Sequence, residues 1–469
     1  MLRLEIGLPT QLVWFRQDLR LRDQPALTAA VALGDVLPVY ILDDELPRED
    51  RMGAAQRWWL HRSLVALRND LAALGAPLVL RRGRTPLELL RLVQETGANA
   101  VHGLRHFELW WQKAENETAQ ATHLVLHEGN HLADPRSVLN DSGERYRVFT
   151  PWFTKLREQL SPPLPLTRPD RVTPPENIPA SDDLDSWALL PSKPDWSTGF
   201  ADWMPGERGA RAALRKFLIC LPAYEEERNF PGRPATSRLS PHIHFGEISP
   251  ATIWHHASAK GNGKARQFQS EIAWREHGLN LLDQFPTYPR CNGRPMFDRF
   301  AWRTGANADA DFIAWTRGRT GYPVVDAGMR ELWETGWMHN RARMITASFL
   351  VKHLLIDWRR GERWFWDTLL DADQGANAMN WQYVAGSGVD APVFSRIMAP
   401  FVQSAKFDMA NCIRRFVPEI AHLPDDEIHN PDDLSRVAAG YPTALTSHEA
   451  ARARALAAWD ACRTAKGPT

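Results

Sequence analysis

The sequence predicts an α/β domain with a doubly wound parallel sheet, followed by an all-α domain. Three observations carry this. Apolar strand-like runs alternate with helical patterns over residues 11–128, a proline-rich stretch occupies 162–205, and helical patterns stand almost alone after 206. With 469 residues the chain has room for two or three domains and large buried cores.

The runs 11–15, 36–42, 76–81, 99–104 and 123–128 read as buried strands. Between them, 25–34, 54–75, 86–97 and 109–121 read as helices. Alternation of this kind implies a parallel sheet with helices on both faces. No G-x-G-x-x-G follows the first strand, so the usual dinucleotide fingerprint is missing. Ten of the 34 prolines fall within 162–205. Proline removes backbone donors and fixes φ, so this stretch reads as an extended connector wrapping the domains. Helical patterns then follow at 207–221, 249–260, 265–284, 308–317, 324–335, 338–356, 362–370 and 405–417. The expected division is an α/β domain over 1–130, a connector over 131–205 and an all-α domain over 206–469.

Composition is that of an ordinary soluble protein, with 44% apolar and 24% charged residues. Nothing resembles a signal peptide, and no apolar run approaches the roughly 18 residues of a membrane span. Cys220, Cys291, Cys412 and Cys462 form no C-x-x-C pair, which points to buried thiols in a reducing cytoplasm. Net charge is zero, although residues 206–469 carry 33 basic against 29 acidic side chains. So small an excess is weak evidence for a nucleic-acid partner. Twenty Trp against seven Tyr is an unusual ratio. Indoles serve as large packing residues, for stacking on planar groups, or for carrying electrons, and composition does not choose among these.

Four clusters carry the candidate chemistry. Thr236, Ser237, Arg238, Leu239, Ser240 and Pro241 place three hydroxyls and a guanidinium before a helical pattern, as a plain cap or an anion site would. Glu271, Trp274, Arg275 and Gly278 share one helical face, fitting either a solvated ion pair beside a core indole or a pocket for a planar ligand. In the run 337–344, Asn340 and Met344 share a face with Arg341 beside it. Asp371, Ala372 and Asp373 precede Asn377 and the run 380–383, and two such aspartates are usually helix caps. No metal-ligand spacing, G-x-S-x-G or P-loop occurs, which leaves hydrolase and NTPase readings without residues.

Together the clusters closely resemble the photolyase/cryptochrome family. Residues 13–20 (VWFRQDLR) resemble its first strand and turn, and 320–327 (TGYPVVDA) and 336–348 (GWMHNRARMITAS) resemble its central signatures. The resemblance covers nearly the whole chain and is greatest to bacterial class I enzymes that repair cyclobutane pyrimidine dimers.

It implies a buried FAD, with Tyr224, Thr236, Ser237, Arg238, Leu239 and Ser240 on the pyrophosphate side. Asp371, Ala372 and Asp373 match the segment at the ribose and ring, and Asn377 the residue facing flavin N5. Arg228, Glu271, Trp274, Arg275, Asn340, Arg341, Met344 and Tyr383 match positions at the lesion pocket or its DNA rim, Tyr383 standing where better-known bacterial members carry Trp. Trp302, Trp358 and Trp381 match the electron-transfer tryptophans, Trp302 only across a short insertion before Trp315.

The implied reaction is redox-neutral: a dimer flipped out of UV-damaged DNA receives an electron from photoexcited reduced FAD and returns it after ring opening. Glu271 would stabilise charge on the pyrimidine carbonyls, and Trp274 and Tyr383 would hold the bases. Three alternatives remain, one of them a flavoprotein that merely binds DNA, against which the lesion-pocket residues argue. A (6-4) photolyase needs a histidine acid where this chain has Met344, and a cryptochrome-like photoreceptor often adds a long tail beyond a point such as Thr469. The resemblance also implies a monomer. An antenna chromophore, folate or deazaflavin, is expected near residues 105–111, and the sequence does not say which.

Overall fold

The computed structural model describes residues 8–45, 51–261 and 263–464. The first and last few residues of the expected terminal domains therefore lie outside the described residues. Five strands, β1 Thr10–Phe15, β2 Asp35–Leu42, β3 Val79–Arg82, β4 Ala100–Leu104 and β5 Leu124–His127, form one parallel sheet. Their order is β3-β2-β1-β4-β5, so the winding reverses between β1 and β4. Alternate side chains feed two separate cores. Leu12, Trp14, Leu37, Val39 and Ile41 pack on helices α3 Thr85–Thr96 and α4 Leu109–Ala121. Val13, Phe15, Tyr40 and Leu42 pack on α1 Pro25–Leu33 and α2 Ala54–Ala72. The doubly wound expectation holds.

Helix α5 Phe149–Gln159 falls inside the stretch read as connector, buries Trp152, Phe153 and Leu156, and packs beside the helical domain. Beyond it the connector has only two short 3₁₀ turns, 184–187 and 198–200. It is sewn to the sheet: the Asp182 amide donates to the Leu80 carbonyl at 2.8 Å and the Val36 amide to Thr173 at 2.7 Å. Edge strand β3 is thereby covered. Trp187 and Phe200 of the connector enter the core that α1 and α2 share.

Among the described residues no strand follows β5. The remainder is helical: α6 Glu207–Cys220, α7 Tyr224–Glu227, α8 Ser240–His244, α9 Pro250–Lys260, α10 Arg266–Gln284, α11 Ala306–Thr316, α12 Pro323–Thr335 and α13 Asn340–Ser348. Then come α14 Trp358–Thr368, α15 Gln374–Ala385, α16 Pro400–Lys406, α17 Ala410–Phe416, α18 Asp433–Ala439 and α19 His448–Thr464. The pattern read as one helix over 405–417 is broken, because Asp408 takes a left-handed φ of 48° between α16 and α17. The pattern over 338–356 starts as α13, then loosens into a π turn at 349–353.

The motif at 13–20 turns out to join the domains. The Leu19 amide donates to the Phe245 carbonyl at 3.0 Å. Arg20, fully buried, donates to the carbonyls of Gly246 and Gly129 and to Asn130 Oδ1 at 2.8–3.0 Å. Gly246 has φ +61°, and a Cβ there would stand 2.1 Å from the Gln17 carbonyl oxygen, so the contact requires glycine.

Candidate functional site

A cavity of about 540 Å³ opens among α7, α10, α13, α15 and the loop before α8. Two helices set its width. α10 and α15 cross with Gly278 against Gly375, where a Cβ on Gly375 would lie 2.8 Å from the Gly278 carbonyl carbon and oxygen. The glycines let the backbones touch. Glu271, Trp274 and Arg275 of α10 thus share one space with Asn377, Trp381 and Tyr383 of α15. Gly375→Ala is expected to cost about 1–3 kcal/mol through overpacking. Thermal unfolding should shift down, and retention of a bound ligand through gel filtration should fall with it.

The wall residues fall into three groups. In the first, Thr236, Ser237 and Ser240 present hydroxyls, and Arg238 takes a left-handed φ of 52°. The Arg238 guanidinium lies between the Trp203 and Trp337 rings, 4.5 and 4.7 Å from their centroids, and Trp337 Nε1 donates to Ser240 Oγ at 3.3 Å. Leu239 is fully buried in the core with its amide donated to Ser237 Oγ at 3.3 Å, so its side chain stays outside the wall.

In the second group, Asp371 receives both terminal nitrogens of Arg343 at 3.0 and 2.8 Å. Asp373 caps α15 by accepting the Ala376 amide at 2.9 Å. Asn377 Nδ2 donates to Glu362, to its carbonyl at 3.1 Å and to Oε1 at 2.8 Å. With Nδ2 so engaged, Oδ1 is the polar atom Asn377 has left for a ligand, and it can only accept. Burial pushes the Glu362 carboxyl up to about 7 against the Asn377 hydrogen bond. Phe365, Leu369, Ala372, Trp381 and Val384 complete an apolar wall.

The third group lies around Glu271. Its Oε1 accepts from Arg228 at 2.8 Å and from Gln267 at 2.9 Å. Burial pushes its carboxyl up, and Arg228 is the largest influence holding it down. Arg341 donates to Asn229 Oδ1 at 2.8 and 2.6 Å and reaches the Met344 sulfur at 3.7 Å. Trp274 lies flat on Phe149, with centroids 3.5 Å apart, so one face of its ring is already covered.

A large planar, anionic cofactor such as FAD fits this donor set. Hydroxyls and a guanidinium suit a pyrophosphate, and an apolar wall with an amide acceptor suits a ring. One observation points to a missing partner: Arg275 Nη1 bonds Glu276 at 3.1 Å and the Asn130 carbonyl at 3.3 Å, but its buried Nε has no hydrogen bond and lies 3.9 Å from the Asp373 carboxylate.

The cavity gathers Tyr224, Arg228, Thr236, Ser237, Arg238, Ser240, Glu271, Trp274, Arg275, Asn340, Arg341, Met344, Asp371, Ala372, Asp373, Asn377, Trp381 and Tyr383 from across the sequence. Trp358 and Trp302 are not on its wall. Trp358 is fully buried with Nε1 donating to Asn292 at 2.9 Å, and Trp302 packs on Phe300 at 4.4 Å. Sequence reasoning passed over Gln267, Asn229, Glu362 and Trp315, the last of which meets the Trp381 ring edge-on at 6.2 Å. Asn229, Glu362 and Trp315 meet their partners only through folding, whereas Gln267 stands one turn before Glu271 on α10, where i, i+4 spacing could have found it.

A doubly wound α/β domain joined to a helical domain with such a cavity defines a flavoprotein of the photolyase type. Residues 268–461 match the family described as FAD binding domain of DNA photolyase, and residues 11–170 match DNA photolyase. The chain belongs to the photolyase/cryptochrome family.

The deoxyribodipyrimidine photo-lyase of Agrobacterium fabrum is 45% identical, covering 96% of this chain and 98% of its own length. That of Escherichia coli is 36% identical, covering 97% and 100%. A bacterial class III photolyase from Agrobacterium tumefaciens superposes with a TM-score of 0.94 at 44% identity, covering 99% of this chain and all of its own. These relatives are bacterial photolyases, and the solved structure among them is of class III, where the sequence resemblance pointed to class I. An archaeal photolyase from Sulfolobus tokodaii, 26% identical over 96% of this chain and 99% of its own, with a TM-score of 0.82, is described as holding two FAD molecules, with implication of a novel light-harvesting cofactor.

Proposed function

We propose that this protein repairs UV-damaged DNA in light by splitting cyclobutane pyrimidine dimers, working as a cytoplasmic monomer. One observation carries the reading: the flavin set and the candidate lesion set line a single cavity, so a dimer flipped out of the duplex would sit against the cofactor. No described helix is long and apolar enough to cross a membrane. In a division at 1–130, 131–205 and 206–469, an antenna chromophore, folate or deazaflavin, would sit in the first part and the chemistry in the last.

FAD, once reduced and excited by light, supplies the electron. The chain does the rest. Thr236, Ser237, Arg238 and Ser240 would hold the pyrophosphate, with Tyr224 and the backbone of Leu239 beside them. Asp371, Ala372 and Asp373 would fix the ribose and ring. Asn377 Oδ1, an acceptor without a proton to give, suits a ring nitrogen that carries hydrogen. Trp381, Trp358 and Trp302 would relay electrons to the cofactor from the surface. Trp274, through its free face, and Tyr383 would stack on the bases, Asn340 would hydrogen-bond their edges, and Arg275 would meet a phosphate or the cofactor.

Met344 supports the cyclobutane dimer as the lesion. Ring splitting needs an electron and no obligatory proton shuttle, whereas reversal of a (6-4) adduct must also move a hydroxyl or amino group. A thioether cannot donate that proton. Illuminated reduced protein should therefore restore oligonucleotides carrying a cyclobutane dimer and leave (6-4) products unchanged, as read by chromatography of the products. Restoration of (6-4) products would overturn the assignment, and inactivity on both would favour a photoreceptor.

A further inference from the structure

The Glu271 carboxylate meets groups from its own helix, from α7 and the residue after it (the Tyr224 hydroxyl and Arg228), and from α13. On its own helix, Gln267 donates to Oε1 and Arg275 lies one turn beyond. Just after α7, Arg228 donates to the same Oε1 at 2.8 Å, its guanidinium 5.5 Å from the Tyr224 ring. Arg341 on α13 also acts on the carboxylate, but its guanidinium is anchored by two bonds to Asn229 and lies over Phe407 at 4.8 Å. Arg228 is therefore the single ion-pair partner of Glu271 among the described residues. The pair sits at the mouth, with side chains 15% and 29% exposed.

The repair reading, on which this inference rests, makes two demands of this pair. Arg228, which matches the DNA rim of the pocket, would meet a backbone phosphate there, and Glu271 would meet pyrimidine carbonyls where negative charge gathers. An ionised carboxylate only accepts hydrogen bonds, and so does a carbonyl, so an intact pair would set acceptor against acceptor. We propose that Arg228 exchanges partners when DNA docks, leaving Glu271 for a phosphate while Glu271 takes one proton from solvent and enters the lesion pocket as a carboxylic acid.

The charge balance is simple. The guanidinium stays protonated, the carboxylate gains one proton, and the phosphate replaces it as the counter-ion. Burial already pushes the Glu271 carboxyl up, and Arg228, ahead of the Gln267 hydrogen bond and Arg341, holds it down. Losing Arg228 and gaining a nearby phosphate both favour the protonated form. Because the bound state holds the extra proton, docking tightens as pH falls and weakens as pH rises through the range between the free and bound titrations.

The test is calorimetric titration of the flavin-loaded protein with an oligonucleotide holding one cyclobutane dimer, in the dark. Two buffers of different ionisation enthalpy at pH 7 report the protons exchanged. Wild type should take up close to one proton per site, and its affinity should fall by up to about tenfold per pH unit above neutrality. Glu271→Gln should bind with no uptake and a flat pH profile. Arg228→Gln should take up less, because its Glu271 has no ion pair to lose. Tight binding without proton exchange, or equal uptake by Glu271→Gln, would overturn the partner exchange and leave the repair reading standing. Failure to bind dimer-containing DNA at all would sink the repair reading itself.

Discussion

Trp381→Phe is expected to abolish most photoreduction of oxidised flavin while sparing repair by protein reduced chemically beforehand. Trp381 is on the cavity wall, 2% exposed, and packs edge-on against Phe365 at 4.9 Å and Trp315 at 6.2 Å. Phenyl fills most of the same space, so the fold should survive at a cost of about 1–3 kcal/mol. A phenyl ring is far harder to oxidise than an indole, however, and cannot pass an electron inward at a useful rate. Repair with flavin already reduced does not draw on this route. The measurement is flavin absorbance under blue light with an external reductant, set beside dimer splitting after chemical reduction. Equal loss of both would mean that Trp381 positions the cofactor and does not feed it.

Asp371→Ala should strip the protein of most of its flavin. The Asp371 side chain is 3% exposed and holds both terminal nitrogens of Arg343, which is 26% exposed and whose Nε donates to the Met338 carbonyl at 2.8 Å. Removing the carboxylate leaves a positive charge uncompensated beside the ring-binding wall. Fully buried pairs lose about 3–5 kcal/mol when one partner goes. With Arg343 a quarter exposed, a cost of about 2–3 kcal/mol is expected. Flavin absorbance per protein after gel filtration reads retention, and thermal unfolding reads stability. Asp371→Asn, which still accepts one hydrogen bond, should fall between; full retention in Asp371→Ala would move the ring site away from this pair.

The sheet was legible because strands buried on both faces read as unbroken apolar runs, and all five appear within a few residues of their expected places. The helical domain was legible where one face carries large apolar residues, and α19 was passed over because its single buried face is Ala451, Ala455 and Cys462. α15 was missed too, since it is buried nearly all round with small and amide residues, and Gly375, Ala376, Asn377 and Ala378 give no stripe. α5 was hidden by Pro151 in its first turn, which reads as a breaker although the first turn tolerates it. Within the site, spacing along one helix placed Glu271, Trp274 and Arg275 correctly on a common face. It said nothing of Arg228, which meets Glu271 only through folding, or of Glu362, which faces Asn377 from a different helix. Roles for these residues came from family resemblance or from the structure.

The connector has a consequence for handling the protein. Its Trp203 forms one side of the sandwich around Arg238, and its indole nitrogen donates to the Thr335 carbonyl at 2.8 Å. A segment fastened along the sheet edge thus ends against the side chain proposed to hold the pyrophosphate. Anything that fixes Arg238 also fixes Trp203, so protease resistance between residues 162 and 205 becomes an external gauge of cofactor loading, readable on a gel without light.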